Sequence, residues 1–219
     1  MGPATLRALL YATALLAPLA ISAVFALQPW VEPRWAFMDT ITAADISGEV
    51  HLYYGFVSNL GVLGMAATAA VVLFAAACRS AQGASDGMAF LLGAGLVSGW
   101  LALDDLYLLH EALLPRAGVR QEIGVAFAGL LVLGHVVFHR RLILAADWPL
   151  MMAALVGFGA SAGLDLTLHT TEGPWIVAED AAKFVAIGAW TAFHLDAALR
   201  LVTAGTAARS GGLRADVAP

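Results

Sequence analysis

Six stretches of this chain are apolar for about as long as a helix needs to cross a bilayer, which is roughly 20 residues. They cover residues 7–27, 51–78, 88–114, 121–139, 148–168 and 175–203. A lone strand in lipid would leave its backbone groups without hydrogen bonds, so each stretch is expected to be a helix. The sequence therefore predicts an all-α integral membrane protein, a bundle of about six transmembrane helices.

The composition agrees with this prediction and limits the function. Hydrophobic residues make up 61% of the chain and charged residues only 12%, whereas a soluble domain is about one-quarter charged. The formal net charge is −5 and no basic patch is present, so nucleic acid is not expected as a partner. We predict one transmembrane domain, residues 1–204, followed by a short disordered cytoplasmic tail, residues 205–219.

The first apolar stretch has two interpretations. Val24, Phe25 and Ala26 would be an acceptable cleavage site for a secretory signal, but the stretch is long for a signal core and about long enough to span a bilayer. We favour an uncleaved first helix. In both cases the chain after it emerges on the outer side of the membrane.

Basic residues give the orientation, because loops on the cytoplasmic side are enriched in arginine and lysine. Most arginines fall at one side of the predicted bundle: Arg7, Arg79, Arg140, Arg141, Arg200, Arg209 and Arg214. This distribution predicts a multi-pass protein of the cell inner membrane with both termini in the cytoplasm. The loops after the first, third and fifth helices would then face the periplasm.

Ionisable residues gather at the predicted outer end of four helices, although burying a charge in a membrane costs at least a few kcal/mol. They are Glu49 and His51 at the start of the second helix, Asp104, Asp105, His110 and Glu111 in the third, Asp165 and His169 at the end of the fifth, and Glu179, Asp180 and Lys183 in the sixth. The predicted inner ends carry no comparable collection of acids. We therefore predict an outward-facing polar pocket between helices 2, 3, 5 and 6.

Helical spacing suggests which of these groups meet. Residues three, four and seven apart share a helix face, so a continuous third helix would place Asp104, Tyr107 and Glu111 together. Asp105 would point about 100° away from Asp104 and serve a different partner. Lys183 follows Glu179 by four residues and Asp180 by three, and both spacings allow an ion pair.

Carboxylates and imidazoles on facing helices suggest a metal site, because imidazole binds zinc, iron and copper well. The predicted ligands are Asp104, His110, Glu111, His169 and Glu179, with a divalent metal, zinc or iron. Asp105 or Asp180 would act as the catalytic general base or as a hydrogen-bond partner of the metal ligands. The Glu-x-x-His and His-Glu-x-x-His motifs of known metal sites are absent. The hypothesis is a metal-dependent enzyme that acts on a membrane lipid or a lipid-soluble small molecule.

The alternative is a non-enzymatic transport or accessory protein that handles protons or ions. Its acids and Lys183 would form a buried ion-pair network with no vacant centre for a metal. Further pocket residues are expected under either hypothesis: Glu49, His51, Ser58, Asn59, Tyr107, Asp165 and Lys183. His135, His139 and His194 are predicted to lie at the inner interface, outside any site.

Overall fold

The computed structural model describes residues 3–168 and 173–215, and within these ranges the secondary structure is helical, without strands. The long helices are α1 (Pro3–Leu27), α4 (Phe56–Ala81), α5 (Met88–Tyr107), α7 (Gln121–Phe138), α9 (Trp148–Leu168) and α10 (Gly173–Ala215). Shorter helices lie between them: α2 (Arg34–Phe37), α3 (Thr40–Ser47), α6 (Leu114–Arg116) and α8 (Arg140–Ala145). A π-helical turn, Leu109–Leu113, precedes α6.

The prediction of an all-helical protein with six apolar helices of membrane length is confirmed. Each of these six helices contains a segment with a mean hydropathy between 1.3 and 2.2. Large apolar side chains also cover the outside of the bundle: Leu63, Leu96, Leu130 and Val156 are all more than 60% exposed. An exposed apolar surface of this extent is expected where lipid is the solvent, and together with the six apolar helices it suggests a membrane protein.

α10 is the central helix. It packs against α1, α4 and α9, while α5 packs against α4, and α7 packs against α5 and the π-helical turn. Small residues permit these close approaches: a Cβ atom on Gly157 would overlap Ala186, and one on Gly188 would overlap the Ala14 carbonyl. Fully buried Trp190 ties α10 to α5, because its indole N–H donates to Ser98 Oγ at 2.9 Å.

The connection between α1 and α4 folds over one end of the bundle. Asp39 caps the start of α3, since its carboxylate accepts a hydrogen bond of 2.8 Å from the Thr42 N–H. Buried Phe37, Ala43 and Tyr54 in this connection form a small core with Ile176 and Phe184 of α10. Neither α2, α3 nor this core was predicted from the sequence. Together they cover the end of the bundle where the acids gather.

Two predicted helix boundaries were wrong. α4 begins at Phe56 and not at residue 51, because Gly55 adopts a left-handed conformation (φ +65°) and its N–H bonds to the Trp35 carbonyl outside the helix. α5 ends at Tyr107 and not at residue 114, because Leu108 is left-handed (φ +50°) and starts the π-helical turn. Both breaks fall at the acid-rich end and change which side chains meet there.

The histidines at the opposite end also depart from the prediction. His135 and His194 were expected at an interface, but they are buried, with 6% and 0% of their surface exposed. The carbonyl of Trp190 accepts a hydrogen bond from His194 Nδ1 at 2.9 Å, and the two histidines lie 3.4 Å apart at their Nε2 atoms. The physical reason is packing. α10 is surrounded by other helices, so His194 on α10 and His135, which contacts it, face protein.

Two further predictions concern the two ends of the chain. α1 packs against α10, and the Tyr11 hydroxyl donates a hydrogen bond to Asp147. Whether α1 is retained in the mature protein stays a prediction. The backbone of α10 continues to Ala215. The predicted disordered tail, residues 205–219, thus overlaps α10 and partly lies outside the described residues, and its disorder stays a prediction.

Candidate functional site

Two adjoining cavities lie at the acid-rich end of the bundle. The first, of about 340 Å³, is polar and lies under the α1–α4 connection, and we call it the vestibule. The second, of about 300 Å³, extends between α4, α5, α7, α9 and α10, and we call it the apolar cavity. Both cavities are lined by Asp105, Glu111, Asp165, Glu179 and Lys183. These five shared residues, the charged wall, separate a polar space from an apolar one.

Lys183 is the centre of the charged wall. Its ammonium nitrogen lies 3.1 Å from Asp105 Oδ1 on α5 and 3.3 Å from Asp180 Oδ1 one turn earlier on α10. All three side chains are largely buried. The spacing of three residues predicted the contact with Asp180, whereas no ion pair between Lys183 and Glu179 is found within the described ranges. Asp105 does serve a different partner from Asp104.

Asp104 holds the π-helical turn. Because Leu108 is left-handed, the chain returns toward α5, and Asp104 accepts hydrogen bonds from the His110 N–H (3.1 Å) and from His110 Nδ1 (2.8 Å). The predicted shared face is wrong for Glu111, because α5 ends at Tyr107 and Glu111 lies in the π-helical turn. Tyr107 is 60% exposed and lines neither cavity.

The turn's two ionisable residues have shifted pKa values. Burial lowers the pKa of His110, but the hydrogen bond to Asp104 and the charges of Asp104 and Glu111 outweigh burial, so the pKa is raised. Burial raises the pKa of Glu111, and the charges of Lys183 and His110 offset only part of this effect. The folded turn therefore favours the protonated form of each group more than water does.

Two acids of the charged wall make no ion pair in the part of the chain that the structure describes. Asp165 on α9 accepts two hydrogen bonds, of 3.0 and 3.2 Å, from the neutral amide of Gln121 at the start of α7. Glu179 makes no hydrogen bond or ion pair with the described residues. Sequence reasoning missed Gln121, because a polar residue at a helix start is ordinarily a capping residue.

Apolar side chains from five helices line the rest of the apolar cavity, with Val62 and Met65 contributed by α4. They include Leu101 of α5, Val132 of α7, Phe158 of α9 and Ile187 of α10. Gly129 and Gly159 lie on opposite sides of the cavity, and no atom lies within 4 Å of a Cβ built on either. Missing side chains at these two positions thus help to create the space.

The other predicted pocket residues divide into two groups. Ser58 lines the vestibule. Glu49 and His51 pair with each other at 2.8 Å on the exposed connection before α4, and the Asn59 amide donates to Thr40 Oγ1 at 3.2 Å. These last three residues line neither cavity, because α4 starts later than predicted.

The predicted metal ligands do not converge in the described ranges, where no group of three or more His, Cys, Asp or Glu side chains is placed to hold one ion. Asp104 is engaged by His110, and Glu111 lies 3.5 Å from His110 Nε2. Glu179 of α10 is itself part of the charged wall and lines both cavities. His169 lies outside the described residues. The zinc or iron site therefore stays a prediction.

Comparison with known proteins adds a family but no activity. No curated protein and no solved structure matches this chain. One family model, described as a domain of unknown function (DUF8692), matches residues 8–197. This range contains five of the six long apolar segments, most of the sixth (Gly173–Ala204) and every residue of the charged wall. The chain belongs to the DUF8692 family.

Proposed function

We propose that this protein is a non-enzymatic transport or accessory protein that takes a lipid-soluble small molecule from the bilayer into the apolar cavity. The polar end of that molecule would lie at the charged wall, where the vestibule begins. The observation that carries the proposal is the shared lining of the two cavities, because it places an apolar space and a polar space end to end.

The size and chemistry of the apolar cavity support this proposal. Small-molecule sites are mostly apolar spaces of about 300 to 1,000 Å³ with a few placed polar groups, and the apolar cavity is at the lower limit of that range. Its polar groups are concentrated at one end, in the charged wall. A molecule with an apolar body and one polar end fits this distribution.

A route from lipid into the cavity is also present. α9 packs mainly against α10, and α7 mainly against α5 and the π-helical turn. α7 and α9 make little direct contact with each other apart from the Gln121–Asp165 hydrogen bonds, so the proposal places a gap between them that admits molecules from the outside of the bundle. Leu133 of α7 lines the apolar cavity and is nevertheless 54% exposed. A lipid-soluble molecule could enter sideways through this gap.

The orientation and location belong to the same proposal. The excess of arginines at the end opposite the vestibule favours cytoplasmic termini and a vestibule that faces the periplasm, in the inner membrane of a bacterium. Lys183 between two carboxylates supports the ion-pair network over the metal centre. The metal-dependent enzyme stays an untested prediction that no described geometry favours.

The proposal is tested with cavity-filling variants and a photoactivatable probe. The purified protein is placed in phosphatidylcholine nanodiscs with a long-chain alcohol that carries a diazirine, and its cross-linking is measured. Gly129→Phe and Gly159→Phe fill the apolar cavity and are expected to reduce saturable cross-linking severalfold. Their matched controls, Gly134→Phe on α7 and Gly163→Phe on α9, also have open space at Cβ but line neither cavity.

The controls should label like the wild type, and excess unlabelled alcohol should compete with the probe. Equal labelling of all four variants, or labelling that excess alcohol does not reduce, would show that the probe reports the outer surface and would overturn the proposal. The thermal unfolding midpoint of each variant verifies that it is folded.

A further inference from the structure

We infer that the molecule in the apolar cavity is a cationic amphiphile, an apolar chain with a protonated amine at its polar end. This inference rests on the proposed function and specifies its ligand class. The juxtaposition that supports it is an apolar cavity ending at a wall of four carboxylates and one ammonium group.

The acidic side chains of the charged wall outnumber its cationic side chains. Asp105, Glu111, Asp165 and Glu179 face one cation, Lys183, whose ammonium is already held by Asp105 and by Asp180 behind it. His110 is engaged by Asp104, and its other ring nitrogen is 3.5 Å from Glu111. Within the described ranges, neither Asp165 nor Glu179 makes an ion pair.

These two acids also have the right position. Asp165 on α9 and Glu179 on α10 both line the apolar cavity and the vestibule, so they lie where an apolar space meets a polar one. An amine at this level would donate charge-assisted hydrogen bonds to the two carboxylates while its chain extended between α7 and α9. Such bonds are about twice as strong as neutral ones.

Other polar ends fit the wall less well. A carboxylate or phosphate would be repelled by the acids, and Lys183, the cation of the wall, is already paired twice. A hydroxyl would form hydrogen bonds with these acids but would bring no positive charge, whereas an ammonium group supplies both. Charge complementarity therefore selects the amine.

The test compares three diazirine probes of equal chain length that end in an amine, an alcohol or a carboxylic acid, in neutral phosphatidylcholine nanodiscs. For the wild type, we expect half-maximal labelling by the amine at a concentration about tenfold lower than by the alcohol. Glu179→Gln and Asp165→Asn should each remove most of this preference. Glu49→Gln, an exposed acid outside both cavities, is the matched control and should retain the preference.

The outcomes separate the two claims. If all three probes label equally, or the acid labels best, and Gly159→Phe still blocks labelling, the amine class is overturned and the proposed function stands. If Gly159→Phe has no effect on any probe, the proposed function fails as well. Amine labelling that persists in Gly159→Phe would assign the acids to small cations in the vestibule and would also overturn the inference.

Discussion

The Lys183 ammonium lies 3.1 Å from the Asp105 carboxylate, a contact that joins α10 to α5 across 78 residues of sequence. Asp180 completes the arrangement from the opposite side, at 3.3 Å. The two acids hold the lysine in a fixed position at the meeting point of the two cavities. This contact therefore contributes both to the stability of the bundle and to the shape of the proposed site.

Lys183→Met is expected to destabilise the protein, because it leaves Asp105 and Asp180 buried without their shared cation. Breaking a buried ion pair by removing one partner costs about 3–5 kcal/mol. The thermal unfolding midpoint of the detergent-purified variant should fall by many degrees. Adding Asp105→Asn and Asp180→Asn to Lys183→Met should recover most of the loss, and a midpoint equal to that of the wild type in the single variant would refute the network.

Asp104→Asn is expected to loosen the π-helical turn, because the Asp104 carboxylate accepts two hydrogen bonds from His110. Losing a buried charged acceptor costs about 1–3 kcal/mol. The turn should become more accessible, with faster amide hydrogen exchange over residues 108–114 than in the wild type. Unchanged exchange in that segment would contradict the role assigned to Asp104.

The stability of the protein should fall as the pH rises through neutrality. The folded state raises the pKa of His110 above its ordinary value of 6.5. The contribution of His110 to stability is therefore complete below that value and is lost as the pH rises through the raised pKa. In His110→Gln, the decrease in unfolding midpoint between about pH 6 and 8 should be smaller than in the wild type.

Glu111 contributes in the same direction at lower pH. Its pKa is raised from 4.5, so the folded state favours the neutral carboxyl and loses stability as the pH rises above that value. Glu111→Gln should remove the early part of the decrease and leave the later part. A wild-type midpoint that rises over the whole range would contradict both assignments.

Gly188→Ala is expected to destabilise the contact between α1 and α10, because its Cβ would overlap the Ala14 carbonyl and Pro18. Overpacking of this kind costs about 1–3 kcal/mol. Gly163→Ala on α9 is the matched control, since its Cβ would meet open space. The thermal unfolding midpoint of Gly163→Ala should stay the same or rise slightly, because alanine favours a helix more than glycine does. Equal midpoints for the two variants would show that α1 does not pack as described.

The proposed orientation is tested with single cysteines in a Cys78→Ser background. Ala117 lies at the vestibule end and Ser85 at the opposite end, and both are exposed. A membrane-impermeant maleimide should label Ala117→Cys in intact spheroplasts, and should label Ser85→Cys only after the membrane is opened. The reverse pattern would place the vestibule in the cytoplasm.

The sequence predicted the six long helices because an apolar run of membrane length can satisfy its backbone hydrogen bonds in lipid in few ways other than as a helix. It also predicted which charged residues gather at one end, since topology alone brings alternate helix ends together. Asp105, Asp165, Glu179, Asp180 and Lys183 all lie in that region of the structure.

Local breaks were not predictable, and they explain the errors. Leu108 has no sequence feature that indicates a left-handed residue, yet its conformation ends α5 and turns His110 back onto Asp104. Gly55 is left-handed because the α1–α4 connection folds over the bundle, which is a tertiary cause. The apolar cavity could not be predicted from the sequence either, because it depends on the distance between α7 and α9.

The central claim is that a lipid-soluble molecule occupies the space between α7 and α9, and the most direct measurement is peptide mapping of the cross-linked diazirine alcohol. The proposal predicts saturable labels on cavity-lining residues such as Val132 and Phe158, and loss of those labels in Gly159→Phe. Labels confined to outward-facing Leu130 and Val156, at the same level in Gly159→Phe, would show that the apolar cavity is not occupied and would contradict it.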